Sequence, residues 1–184
     1  ELIGLFHCIG KRYLYDRQHV NQVERLSLLM FDKLAKHYGM GERERLLLRG
    51  AAILHDLGKF ICMRSHSIYS YQLIMATDII GFSDRDKKII ALAAYYHANK
   101  LFEAGNANAP VIEKDMVAVV AKLAAIIRLA DALDRSYLQK IRQCSVSIKD
   151  KIMYVQATSK KDLVLEEWNF TSKANFFEEV YGLE

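Results

Sequence analysis

Apolar residues recur every three to four positions along the chain up to about residue 142, the spacing of helices that bury one face. The segment 16–38 reads as a long amphipathic helix stopped near Gly39 and Gly41, preceded by a short apolar helix over 2–15. A second long helix runs from Glu42 to Phe60, and Ser65 or Ser67 can cap another over the following RSHSIYSYQLIMATDIIGF. Further helices are expected at 84–97 and 116–137, separated by the loop NKLFEAGNANAP at 99–110, which holds the only proline. The pattern then changes period. CSVSIKDKIMYVQATS alternates apolar and polar residues on both sides of Lys149-Asp150-Lys151 and predicts a β-hairpin. LVLEEWNF at 163–170 fits either a strand or a helix, and Thr171 or Ser172 can cap a last helix through Tyr181 with Phe176, Phe177 and Val180 as its apolar patch. Trp168 reads as a packing residue. The expected architecture is a mainly α helical bundle over 1–142 with a small α+β appendage, hairpin plus helix, over 143–184 that must dock elsewhere.

An apolar fraction of 52% beside 26% charged residues suits a globular chain able to bury a core, and 184 residues suit one domain with an appendage. No apolar run approaches the roughly 20 residues of a membrane span, and 1–10 lacks a basic leader pattern. The chain opens on Glu1 rather than Met, so a piece of something longer is expected. Cys8, Cys62 and Cys144 are scattered and read as free thiols of a reducing, cytoplasmic compartment. A net charge of +4 suits anionic ligands but is too small and dispersed to indicate nucleic acid.

Several apolar faces carry a residue that does not belong there. His19 shares its face with Val23, Leu26 and Met30; His55 with Leu48, Ala51 and Ala52; Asp131 with Val120, Ala124 and Ile127. A buried imidazole or carboxylate is costly unless paired or coordinated. In AAILHDLGKF, His55 and Asp56 are adjacent, about 100° apart on a helix, so one ion held by both must sit against the helix end and draw ligands from elsewhere. His19 upstream and Asp131 downstream are the candidates. The competing reading is a set of satisfied core histidines beside a buried pair of Asp131 with Arg128 or Arg135 at helical spacing. Gly58 can end the helix or admit close backbone approach, and Lys59 offers a cation beside the ion. His97 shares a face with Ile90 and Ala93, and His66 stands at a helix start. His7 and His37 read as surface or packing residues.

The ordered set H…HD…D resembles the HD superfamily of metal-dependent phosphohydrolases, with its ligand positions filled by His19, His55, Asp56 and Asp131. That resemblance implies a divalent ion, of a kind (Mn, Mg, Fe, Zn or Ni) that two imidazoles and two carboxylates do not decide. HD proteins with two metals take extra histidines from the middle region, which makes His66 and His97 candidates for a second ion or for phosphate. Catalytic work would fall to Asp56, Lys59 and, as a base, Asp134, while Lys59, Arg64, Arg128 or Arg135 would neutralise phosphate charge.

The chain further resembles the C-terminal HD-type domain of the Ppx/GppA family, exopolyphosphatases and guanosine pentaphosphate phosphohydrolases. The resemblance lies in DRQHVNQVERLSLLMFDKL, AAILHDLGKFI, YSYQLI with GFSDRDKKIIALAAYYH, LAAIIRLADALDRS and LEEWNFTSKANFFEEVYG. In that family the polyphosphatase site belongs to an N-terminal actin-like region, and this sequence has no Gly-rich phosphate loop after a strand. The family often has histidine where this chain has Tyr69, which counts against a second metal there. The implied functions are two: a metal-binding phosphohydrolase acting on or binding polyphosphate or nucleotides, or a non-catalytic polyphosphate-binding and dimerisation module with a structural or vestigial metal. The implied partners are a phosphate-rich small molecule or polyphosphate and a second copy of the chain, with neither membrane nor nucleic acid expected.

Overall fold

The amphipathic segments fold as helices in a computed structural model that describes residues 2–99 and 107–184. Most of the loop expected at 99–110 lies outside the described residues. Helix α1 spans Leu2–Arg12, α2 Arg17–Leu34, α3 Glu42–Leu54, α4 His66–Met75, α5 Asp84–Tyr96 and α6 Val117–Ala132. Strands β1 (Gln143–Lys149) and β2 (Ile152–Thr158) form an antiparallel hairpin, and α7 runs over Val164–Tyr181. The chain is mainly α with a small two-stranded sheet. Among the described residues no helix is long and apolar enough to cross a membrane.

The core is assembled from α2, α3, α5 and α6. Leu26, Met30, Leu48, Ile90, Leu123 and Ile127 are buried at 1% exposure or less. Many of the facing positions are alanine: Ala51, Ala52, Ala91, Ala93, Ala94, Ala124, Ala125 and Ala130 are all completely buried. Small side chains let helix axes approach closely at native packing density. The short side chains of histidine and aspartate on neighbouring helices can therefore meet.

Helix ends differ from the periodicity in an instructive way. The second long helix does not continue to Phe60: α3 stops at Leu54, and after Asp56 (φ −100°, ψ 8°) a short 3₁₀ turn covers Leu57–Phe60. Likewise α2 gives way to a 3₁₀ turn at Ala35–His37, and α6 ends at Ala132 rather than Tyr137. Each break leaves its polar residues off the helical lattice.

The ambiguous LVLEEWNF is helical, and the cap expected at Thr171 or Ser172 falls inside α7 instead. Their hydroxyls bond back to Glu167 O (2.9 Å) and Asn169 O (2.8 Å), the local bonds that let these residues sit within a helix. Trp168 is 69% exposed and is not a packing residue. The buried face of α7 is Glu166, Asn169, Phe177 and Tyr181, and the helix ends at Gly182 in the left-handed region (φ 63°).

The appendage is tied down at several points. Tyr181 Oη donates to Lys122 O (2.8 Å), and Tyr38 Oη donates to Tyr181 O (2.6 Å). Met153 N–H donates to Glu184 O, and Glu184 N–H to Lys151 O, so the last residues extend the edge of β2. The hairpin turns on Asp150 and Lys151, both at positive φ (53° and 61°), as a right-twisted two-residue turn requires.

Candidate metal centre

Three segments deliver the predicted ligands to one place. Asp16 caps α2 by accepting the His19 N–H at 3.0 Å, which fixes the first turn and points the imidazole inward. His55 and Asp56 leave the end of α3, and Asp131 lies in the last turn of α6. His19 Nε2 is 3.0 Å from Asp131 Oδ1 and 3.8 Å from Asp56 Oδ2. His55 Nε2 is 3.5 Å from Asp131 Oδ1 and 3.6 Å from Asp56 Oδ1. Among the described residues no ion pair joins Asp131 to Arg128 or Arg135; its neighbours are imidazoles.

Four histidines share one orientation. His55 Nδ1 bonds Ala52 O (2.7 Å), His66 Nδ1 bonds Met63 O (3.1 Å) and His97 Nδ1 bonds Ala94 O. A carbonyl can only accept, so each Nδ1 carries a proton, which leaves Nε2 as the nitrogen able to turn a lone pair towards a cation. His19 Nδ1 bonds the buried Asp134 carboxylate at 2.7 Å. Outward Nδ1 anchors that aim Nε2 inward are the arrangement of metal-ligating imidazoles. His55 Nε2 is moreover buried with no hydrogen-bond partner, a state that costs about 1–3 kcal/mol if nothing else meets it. The donor set fits a divalent cation. Ligand atoms of His19, His55 and Asp56 lie within 4.8 Å of one another, as do those of Asp56, His66 and His97.

Gly58 makes the second group possible. A Cβ there would lie 2.0 Å from His66 O and 2.4 Å from Ser70 N, so only glycine lets α4 approach this closely. Ser70 Oγ accepts the Gly58 N–H (2.8 Å) and donates to His55 O (2.9 Å), stitching α4 to the HD turn. The close approach is thus to backbone within the protein. His66 Nε2 is thereby placed 3.5 Å from Asp56 Oδ1, and the His66 and His97 rings lie 5.6 Å apart.

The turn after α6 supplies the roof. Tyr137 and Gln139 hold positive φ (60° and 47°), uncommon outside glycine. Tyr137 stacks on His19 at 3.7 Å between ring centres, and its hydroxyl bonds both Asp56 Oδ2 and Lys59 Nζ. Gln139 donates its N–H (2.8 Å) and side-chain amide (3.0 Å) to Asp134. Glu166 of α7, 1% exposed, accepts from Ser136 N–H and pairs with Lys140, so the last helix holds this turn in place.

Burial and neighbouring charge set the protonation. Burial would depress His19, but the Asp131 and Asp134 carboxylates outweigh it and push the imidazole up to about 9. His97 meets burial and the neighbouring His55, and falls to about 3. Burial opposes ionisation of Asp56 and Asp131, yet His55 and the Lys59 ammonium beside Asp56, and the hydrogen bonds of His19 and His55 to Asp131, prevail and hold both carboxyls below the usual range. Tyr137 is raised by burial and by the same two carboxylates, so it stays a donor.

A cavity of about 360 Å³ opens over this floor. Asp56, Asp131, His66 and His97 line it, and cations come from Lys59, Arg135 and Lys173. Three expected roles do not fit the positions found. Arg64 is exposed and not part of the lining. Arg128 donates to Tyr96 O (2.8 Å) and Asn99 O and lies over the Phe176 ring at 4.0 Å, so its charge is spent on packing α5, α6 and α7 together. Asp134 sits behind His19 with its oxygens engaged by His19 and Gln139, which suits it to orienting the ring and not to acting as a base in the cavity. His7 bonds Tyr15 Oη at 2.7 Å, and His37 is exposed. Sequence reasoning missed Tyr137, Asn169 and Lys173. The helical spacing of Asn169 and Lys173 with Phe176 and Phe177 was the one signal for the last two.

The sequence matches the family described as Ppx/GppA phosphatase, domain III, over residues 7–180. That span includes His19, His55, Asp56 and Asp131 as well as Lys173 of α7. The chain belongs to the Ppx/GppA phosphatase family, through domain III of that family.

Proposed function

We propose that this domain binds one divalent metal ion through His19, His55, Asp56 and Asp131 and uses it in recognising and hydrolysing phosphate-rich anions, polyphosphate or nucleotides. The observation that carries the reading is His55 Nε2, fully buried, unpartnered and aimed at two carboxylates. A divalent ion there would supply Lewis acidity to a phosphoryl oxygen and acidify water at neutral pH. The remaining roles belong to the chain. Asp134 keeps the His19 Nε2 turned inward, and Lys59 and Tyr137 fix one oxygen of Asp56. Lys59, Arg135 and Lys173 face the cavity from three elements and would neutralise phosphate charge as it develops. Asp56, His66 and His97 lie close enough together that they could hold a second cation beside the first.

One observation favours the non-catalytic alternative, a polyphosphate-binding and dimerisation module. The carboxylates lining the cavity, Asp56 and Asp131, both belong to the ligand set, which leaves no third one as base among the described residues. Elemental analysis of the purified chain, with phosphomonoester and polyphosphate turnover measured for wild type and Asp56→Ala, separates the readings. Metal-dependent turnover lost in Asp56→Ala with the fold intact supports hydrolysis. Salt-sensitive polyphosphate binding without turnover supports the module, and absence of both metal and phosphate binding ends each.

A further inference from the structure

The cavity over the metal cluster has a neighbour of opposite character. A groove of about 590 Å³ adjoins it at Lys59 and is lined by Tyr13, Leu14, Tyr15, Phe60 and Met63, with Asp16, the cap of α2, at its edge. Asp56, Lys59, Met63 and Tyr137 line both spaces, so they share a wall and not merely a side of the molecule. Lys59 is central to that wall: Nζ bonds Asp56 Oδ2 at 2.6 Å and lies 4.2 Å from the centre of the Tyr137 ring.

The groove is built from large apolar side chains that the fold leaves in solvent. Phe60 is 54% exposed, Met63 68% and Leu14 80%. Single exposed apolar residues are ordinary, but three around one concavity beside a cationic site mark a binding surface. Tyr13 and Phe60 stand edge to face at 5.6 Å, leaving aromatic surface for a further ring to pack against. A bare polyphosphate has no group that gains from such a surface, since every unit carries charge and would be desolvated against hydrocarbon.

We infer that the Tyr13–Phe60–Met63 groove is a subsite for an aromatic ring carried by a phosphomonoester whose phosphate lies in the adjoining cationic cavity. The two spaces divide one ligand: charge on the Lys59, Arg135 and Lys173 side, ring on the Phe60 side. This rests on the phosphate-binding reading above and adds to it the chemistry of the ester's organic group.

The test is calorimetric titration of the chain in Mn²⁺ buffer with methyl phosphate and phenyl phosphate, which differ only in the organic group. Phenyl phosphate is expected to bind at least about tenfold tighter, about 1.4 kcal/mol. The ratio of the two affinities should fall towards one in Phe60→Ala and in Met63→Ala, whose side chains are exposed and carry little of the fold. Equal binding of the two esters by the wild-type chain, or a ratio that survives both substitutions, overturns the aromatic subsite and leaves the phosphate site standing. Binding of neither ester overturns the subsite and the phosphate reading together.

Discussion

His19 and Asp134 lie 115 residues apart and meet in a buried contact of 2.7 Å between Nδ1 and Oδ2. The carboxylate turns the ring so that its other nitrogen faces Asp131 and Asp56. Asp134→Asn keeps the shape but weakens the anchor, and metal affinity should fall about 10–100-fold. Competition against a chelator of known affinity measures it. Unchanged affinity would mean that Asp134 does not orient the ligand.

Without metal, stability should peak near pH 6.5. His19, raised to about 9, contributes stability that is complete below its unfolded value and is lost as pH rises through about 9. His97, depressed to about 3, works in the opposite sense: the unfolded chain takes up a proton below about 6.5 that the native chain refuses, so stability falls towards acid. Urea unfolding in chelator across this range checks both limbs, and His97→Gln should flatten the acid one.

Gly58→Ala should disrupt the site from outside it. The new methyl would need the space held by the His66 carbonyl and the Ser70 amide, which are backbone and cannot swing aside. Overpacking of this kind costs about 1–3 kcal/mol or more and would push α4 outward. The expected results are a lowered unfolding midpoint and weaker binding at the Asp56, His66 and His97 group.

The appendage and the bundle should unfold together. Phe177, 2% exposed, faces the core, and Phe177→Ala should cost about 3–5 kcal/mol, whereas Trp168→Ser should lie within about 0.5 kcal/mol of wild type. Cutting the chain after Arg142 removes Glu166 and frees the turn that carries Tyr137, so a shortened chain should lose metal affinity as well as stability. Denaturation followed by circular dichroism and by tyrosine fluorescence should give one coincident transition.

The sequence revealed His19, His55 and Asp131 because a polar residue on an apolar stripe stands out against its neighbours. It revealed the hairpin because a period of two cannot be mistaken for one of 3.6. It misjudged where helices end. The apolar spacing of ILHDLGKF does not show that α3 stops at Leu54, with the backbone leaving the α-helical region at Asp56. Tyr137 was hidden because its place depends on positive φ at Tyr137 and Gln139, which neither residue type advertises. Glu166 and Asn169 left the first half of α7 ambiguous by occupying core-facing positions with polar groups, so the apolar rhythm that announces a helix was missing there, while the second half through Tyr181 was expected.

The unpartnered nitrogen of His55 bears on how the protein is made and handled. A fold that keeps a lone pair dry and unmatched is least comfortable when empty, so an ion that satisfies it shifts the balance between native and denatured chain by mass action. On the proposed reading, trace cations in the growth medium would govern the yield of native protein. A preparation purified through chelating buffers would then be fragile through what was stripped from it, with nothing amiss in its sequence.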